Sequence, residues 1–83
     1  GESRRFGMLV LRKHCNVQHK VHGGLLAALA EVALGFTLGY LAQPVSGYVT
    51  VSLNIDYAGN AGEGDWLEAS TDIQRRGRRL AFA

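Results

Sequence analysis

Disulfides cannot staple this chain, because its 83 residues hold a single cysteine, Cys15. That excludes a cystine-framed secreted scaffold, and no Cys/His spacing points to zinc. Charge is scarce too. Only 19% of the residues are charged and the net charge is +2, weak for a nucleic-acid binder. With one free thiol and no secretory signal pattern, the expected compartment is a reducing cytoplasm. What is plentiful is apolar character: 47% of the residues are hydrophobic, which excludes disorder. The length allows one domain, residues 1–83, and a small one. A chain of this size buries only about 60–65% of the surface it exposes when unfolded. With no disulfide or metal to help, the remaining source of burial is oligomerisation. The ends read as those of a fragment. There is no initiating Met, Gly1 reads as a residue left by tag removal, and residues 79–83 read as a strand that has only begun.

Residues 6–13 (FGMLVLRK) form a short apolar run bounded by charges, the pattern of a strand. Residues 14–20 are polar and irregular, a loop. After Gly23 and Gly24, residues 25–42 are rich in Ala and Leu, which predicts a helix, and Pro44 stops it. This helix is apolar nearly all round and is expected to be buried on all sides. Its 18 residues would span about 27 Å, just short of a bilayer core, and Glu31 interrupts them, so a membrane span is rejected. Residues 48–57 then alternate. Val49, Val51, Leu53, Ile55 and Tyr57 fall on one face, and Thr50, Ser52, Asn54 and Asp56 on the other, which predicts a half-buried strand. A Gly-rich loop leads to a second alternating strand over residues 66–73. Arg75-Arg76-Gly77 reads as a turn before a last strand from Arg78. Short connections favour antiparallel pairing, and a sheet around one apolar helix buries both elements.

Two features carry chemistry. Glu31 lies in the middle of the apolar helix, where loss of solvation raises a carboxyl pKa and makes a candidate base or nucleophile. The alternative is an acid at a subunit edge paired with one of the nine Lys and Arg residues. His22-Gly23-Gly24 opens the helix. Two glycines there let a ligand reach bare N–H groups at the positive end of the helix dipole, the physics of an oxyanion hole. The alternative is a tight turn that needs unusual backbone angles. Gly23 and Glu31 are separated by about 12 Å along the helix axis. Glu31 of one subunit therefore reaches a carbonyl held at its own helix start poorly, and in a symmetric dimer the partner's Glu31 is the better placed.

Asn16, then His22-Gly23-Gly24, then Leu29-Ala30-Glu31 with Ala33-Leu34-Gly35 resembles the hotdog-fold acyl-CoA thioesterases of the phenylacetate-degradation type. Residues 48–57 are similar to the second strand of that family, and residues 64–69 and 76–81 to its third and fourth. The resemblance implies an α+β hotdog fold, an antiparallel sheet wrapped around one long helix, cut short at the C-terminus. A fifth strand in that family lies between the fourth and the second. The resemblance also implies roles: the Gly23 amide polarises the thioester carbonyl, Asn16 positions substrate or water, and His22 supports the loop. Glu31 of the other subunit is nucleophile or general base, and Thr50 orients the attacking water. Many members have Asp where this chain has Glu31. Gly24, Arg75, Arg76, Gly77, Arg78 and Arg79 are expected at the substrate, with the arginines near the nucleotide phosphates of coenzyme A. Solvated hairpin charge is the plain alternative for these arginines. Cys15, next to His14, reads as packing rather than as a nucleophile, since adjacent strand residues point apart.

The expectation is therefore hydrolysis of acyl-CoA thioesters by a cytoplasmic homodimer or dimer of dimers. Coenzyme A enters as part of the substrate; no metal, separate cofactor, nucleic acid or membrane is involved. The runner-up is a hotdog domain that binds acyl-CoA or a related ligand without turnover, and a structural or interaction fragment comes third.

Overall fold

The computed structural model describes residues 5–41 and 48–83, with residues 40 and 41 described by backbone alone. The chain order is strand β1 (Arg5–Leu9), a 3-10 turn (Arg12–His14), helix α1 (Gly23–Leu41), and strands β2 (Trp66–Ser70), β3 (Arg75–Arg76) and β4 (Ala81–Phe82). β1 pairs antiparallel with β2, from Arg5 opposite Ser70 to Leu9 opposite Trp66. Exposure alternates along both strands, so Phe6, Met8, Leu67 and Ala69 form the covered face. Phe6 meets Phe36 of α1 with ring centroids 5.8 Å apart, which seats the helix on that face. Val10, Val21 and Ala61 form a small buried cluster, with Cys15, Leu25, Leu26 and Leu67 packed against it. Cys15 packs as the sequence predicts.

Two backbone devices hold the entry to the helix. Asn16 Oδ1 accepts from the Gln18 amide at 2.9 Å and the Lys20 amide at 3.2 Å, closing the loop, in which His19 takes a left-handed φ of 62°. Opposite it, the turn before β2 uses Gly64 at φ 89°, a conformation that suits glycine. There Asp65 Oδ2 accepts from the Gly62 amide at 2.9 Å. The Val21 amide donates to Ala61 O at 2.8 Å and the Val10 amide to Asp65 O at 2.8 Å, so both loops are tied to one another and to β1.

One long helix against antiparallel strands is the arrangement the resemblance implies. The strand read over 6–13 stops at Leu9, with Arg12–His14 in the 3-10 turn, and the strand read over 66–73 stops at Ser70. Three larger details also differ from the sequence reading. The helix is not buried all round: Glu31, Val32 and Gly35 are exposed, because β1 and β2 cover only one side of it, and Phe36 is still 49% exposed although it meets Phe6. Among the described residues, 48–57 join no ladder and the strands form two separate pairs, β1–β2 and β3–β4. The alternation is present, but a strand exists only where a neighbour accepts its hydrogen bonds, and nothing among the described residues pairs with this segment. Finally, Arg75 and Arg76 are strand rather than turn. The turn is at Gly77, whose amide donates to Leu80 O at 2.7 Å. The predicted helix stop at Pro44 lies outside the described residues.

Candidate functional site

The site residues fall into three groups. The first is the helix start. α1 begins at Gly23, so both glycines are its first two residues. Leu25 and Leu26 amides both donate to His22 O, at 3.0 and 3.2 Å. The Gly23 and Gly24 N–H groups precede any intrahelical acceptor, as the first amides of every α-helix do. A Cβ built on Gly24 meets nothing within 4 Å, so the backbone there faces open space. His22 is exposed and acts through its backbone, donating from its amide to His14 O at 3.0 Å. His14 Nδ1 accepts from the Leu11 amide at 2.9 Å, which ties that ring to the 3-10 turn. Asn16 spends its side-chain oxygen on the loop.

The helix start also has a neighbour that sequence reasoning missed. The Tyr57 hydroxyl donates to Gly23 O at 2.9 Å. A Cβ on Gly23 would lie 3.3 Å from Tyr57 Cζ, so the ring covers the glycine closely. In the sequence, Tyr57 ends an alternating pattern and reads as one more apolar-face residue. A contact between residues 34 positions apart leaves no local signal.

The second group lines a groove of about 760 Å³ between α1, residues 48–54 and residues 78–83. Glu31, Thr50, Arg78 and Arg79 all face this groove, with Leu34, Leu38 and Leu53 supplying apolar wall. Glu31 is exposed, not buried as the sequence leads one to expect, because no strand among the described residues lies over its helix face. Thr50 is exposed as well. The third group, Arg75, Arg76 and Gly77, lies on the exposed β3–β4 hairpin that also carries Arg78 and Arg79. One chain thus joins Glu31 to Thr50 and two arginines. It leaves Glu31 about 12 Å of helix away from the Gly23 amide. Among the described residues there is no group of three His, Cys, Asp or Glu that could hold a metal, and no helix long and apolar enough to cross a membrane.

Comparison with known proteins adds a family. The profile described as the thioesterase superfamily matches residues 18–83, the segment that carries all three groups save Asn16. Over 71 residues the chain is 46% identical to "Putative esterase PA0474" of Pseudomonas aeruginosa, covering 86% of this chain and 53% of that protein. Over 75 residues it is 31% identical to "Putative esterase F42H10.6" of Caenorhabditis elegans, covering 90% of this chain and 44% of that protein. The chain spans about half the length of these relatives. No solved structure matches it.

Proposed function

Because the chain belongs to the thioesterase superfamily, with a hotdog-type fold, we propose that it hydrolyses acyl-CoA thioesters in the manner of the phenylacetate-degradation type. The observation that carries this reading is the pair of first-turn amides at Gly23 and Gly24, which have no intrahelical acceptor, with open space beside Gly24, on the same helix as the groove-facing carboxylate of Glu31. A thioester carbonyl oxygen gains negative charge as its carbon is attacked. Donors fixed at a helix N-terminus stabilise that charge without reorganising. Glu31 either takes a proton from the water that adds to the carbonyl carbon, or adds itself to form an anhydride that water opens. In both cases the C–S bond breaks, coenzyme A leaves as its thiol after taking a proton, and the acyl group leaves as the free acid. Asn16 and Thr50 assist by positioning substrate and water, and His22 by holding the loop.

The separation of Gly23 and Glu31 along one helix is resolved by a second copy, whose Glu31 approaches the carbonyl held at the first copy's helix start. The bare side of α1 and the exposed apolar face of residues 48–53 support such a dimer, alone or within a dimer of dimers. Arg75, Arg76, Arg78 and Arg79 supply charge for the nucleotide phosphates of coenzyme A, with Gly77 allowing the tight turn between them. The reaction needs no further cofactor, and the single free thiol, Cys15, suits a reducing cytoplasm.

Turnover of a panel of acyl-CoAs, followed by release of free thiol, tests the reading. Glu31→Gln should lower kcat by at least about 10²-fold, the lower end for loss of a general base, with little change in KM. Glu31→Asp should cost less, since it keeps the acid. Replacing the four arginines should raise KM and make it less sensitive to salt, because screened charge is what they contribute. A Glu31→Gln enzyme within threefold of wild type would overturn the catalytic role of Glu31. Acyl-CoA raising the melting temperature of a wild type that turns nothing over would establish a binding domain instead.

A further inference from the structure

We infer that Tyr57 is a positioning residue for the amides at the helix start, an inference that rests on their proposed part in hydrolysis. The first observation is the hydrogen bond from its hydroxyl to Gly23 O at 2.9 Å. The second is the packing of its ring over Gly23, with Cζ, Cε1 and Oη all 3.3–3.4 Å from where a Cβ would sit. These contacts act on one peptide unit. The Gly23 carbonyl and the Gly24 N–H belong to the same plane, since they flank the same amide bond. A second donor on the oxygen, added to the helix's own hydrogen bonding, therefore helps to hold the direction in which the Gly24 N–H points. It also polarises that unit, because hydrogen bonds in a chain strengthen one another, and the N–H becomes the better donor.

Glycine is the residue that most needs such a clamp. Two adjacent glycines have wide backbone freedom, and nothing touches Gly24 from the side. An N–H must keep its direction to meet an oxyanion at hydrogen-bond distance. Tyr57 provides this from a segment that makes no sheet ladder, so its bond to Gly23 also ties residues 48–57 to the start of α1. Tyr57 touches no substrate in this account. It acts through the Gly23–Gly24 peptide, in which the Gly24 N–H joins that of Gly23 as a second donor to the carbonyl oxygen.

Tyr57→Phe is the test, since it keeps the ring over Gly23 and removes only the hydroxyl. Its kcat on the best acyl-CoA should fall by about three- to tenfold, the range of one lost neutral hydrogen bond, with KM within about twofold. The Gly24 amide proton should move upfield in the NMR spectrum, a change that a purely structural ring would not produce. Tyr57→Ala, which loses ring and hydroxyl together, should lose more kcat than Tyr57→Phe. If Tyr57→Phe keeps both wild-type kcat and the wild-type Gly24 resonance, while Glu31→Gln is severely impaired, the positioning role is overturned and the hydrolysis reading stands. If the resonance moves but kcat does not, the clamp exists without serving catalysis, which also overturns the inference. If Glu31→Gln keeps wild-type turnover, the hydrolysis reading fails and takes the inference with it.

Discussion

A methyl group separates glycine from alanine, and this chain places that methyl in opposite circumstances at Gly7 and Gly24. On Gly7 of β1 a Cβ would collide with the indole of Trp66, whose Nε1 donates to Glu68 Oε1 at 3.1 Å. Alanine usually improves a strand position by reducing the freedom of the unfolded chain. Here the exposed Trp66 ring must swing aside and give up its hydrogen bond to Glu68, so Gly7→Ala should gain nothing and lose up to about 1 kcal/mol in denaturant unfolding. On Gly24 a Cβ meets nothing. Gly24→Ala should hold or raise stability by up to about 1 kcal/mol, since alanine is the better helix former. The same substitution should cut thioester turnover, because the methyl occupies space through which a carbonyl approaches the backbone. A more stable and less active Gly24→Ala separates a working helix start from a tight turn; unchanged turnover would favour the turn.

At the scale of elements, residues 48–57 and the β1–β2 pair make a controlled contrast. Both carry a two-residue alternation, yet only the pair has formed a ladder. Its five-residue ladder holds alternate amides of each strand, whereas those of 49–56 donate to no backbone acceptor among the described residues. Hydrogen exchange should therefore be slow at the alternate, ladder-bonded amides of β1 and β2 and fast throughout 49–56 when the protein is dilute. If the segment is an interface between copies, its protection should rise with protein concentration. Fast exchange at every concentration would place the dimer contact elsewhere.

For the molecule as a whole, the surface area is the informative quantity. The accessible surface is 6494 Å², against about 4,900 Å² expected for a folded monomer of 9.0 kDa. The Cα radius of gyration is 14.2 Å, where about 12 Å is expected for this length. Val49 and Val51 are 90% and 81% exposed. A chain with this much uncovered apolar surface should associate, and sedimentation should find no compact, cooperatively melting monomer at micromolar concentration. Val51→Asp should then dissociate or unfold the protein. In an isolated chain the same change would alter almost nothing, since Val51 already faces water. An unchanged Val51→Asp protein that sediments as a folded monomer would refute the assembly.

Local pattern was enough for what depends on neighbours in the sequence. The helix lies where Ala and Leu dominate, within two residues of its expected start. The alternation of residues 66–73 matches the alternating exposure along them, because a strand turns successive side chains to opposite faces whatever packs on it. The motif from Asn16 through His22-Gly23-Gly24 to Glu31 was legible as a resemblance, since spacing along a loop and the helix that follows it is a property of sequence. Only the tertiary structure decided the rest. The exposure of Glu31, the lack of a ladder partner for residues 48–57 among the described residues and the contact of Tyr57 with Gly23 all depend on which distant segment lies alongside. Hydrogen-bond partners and burial are properties of pairs of segments, and a pattern within one segment says which face wants covering without saying what covers it.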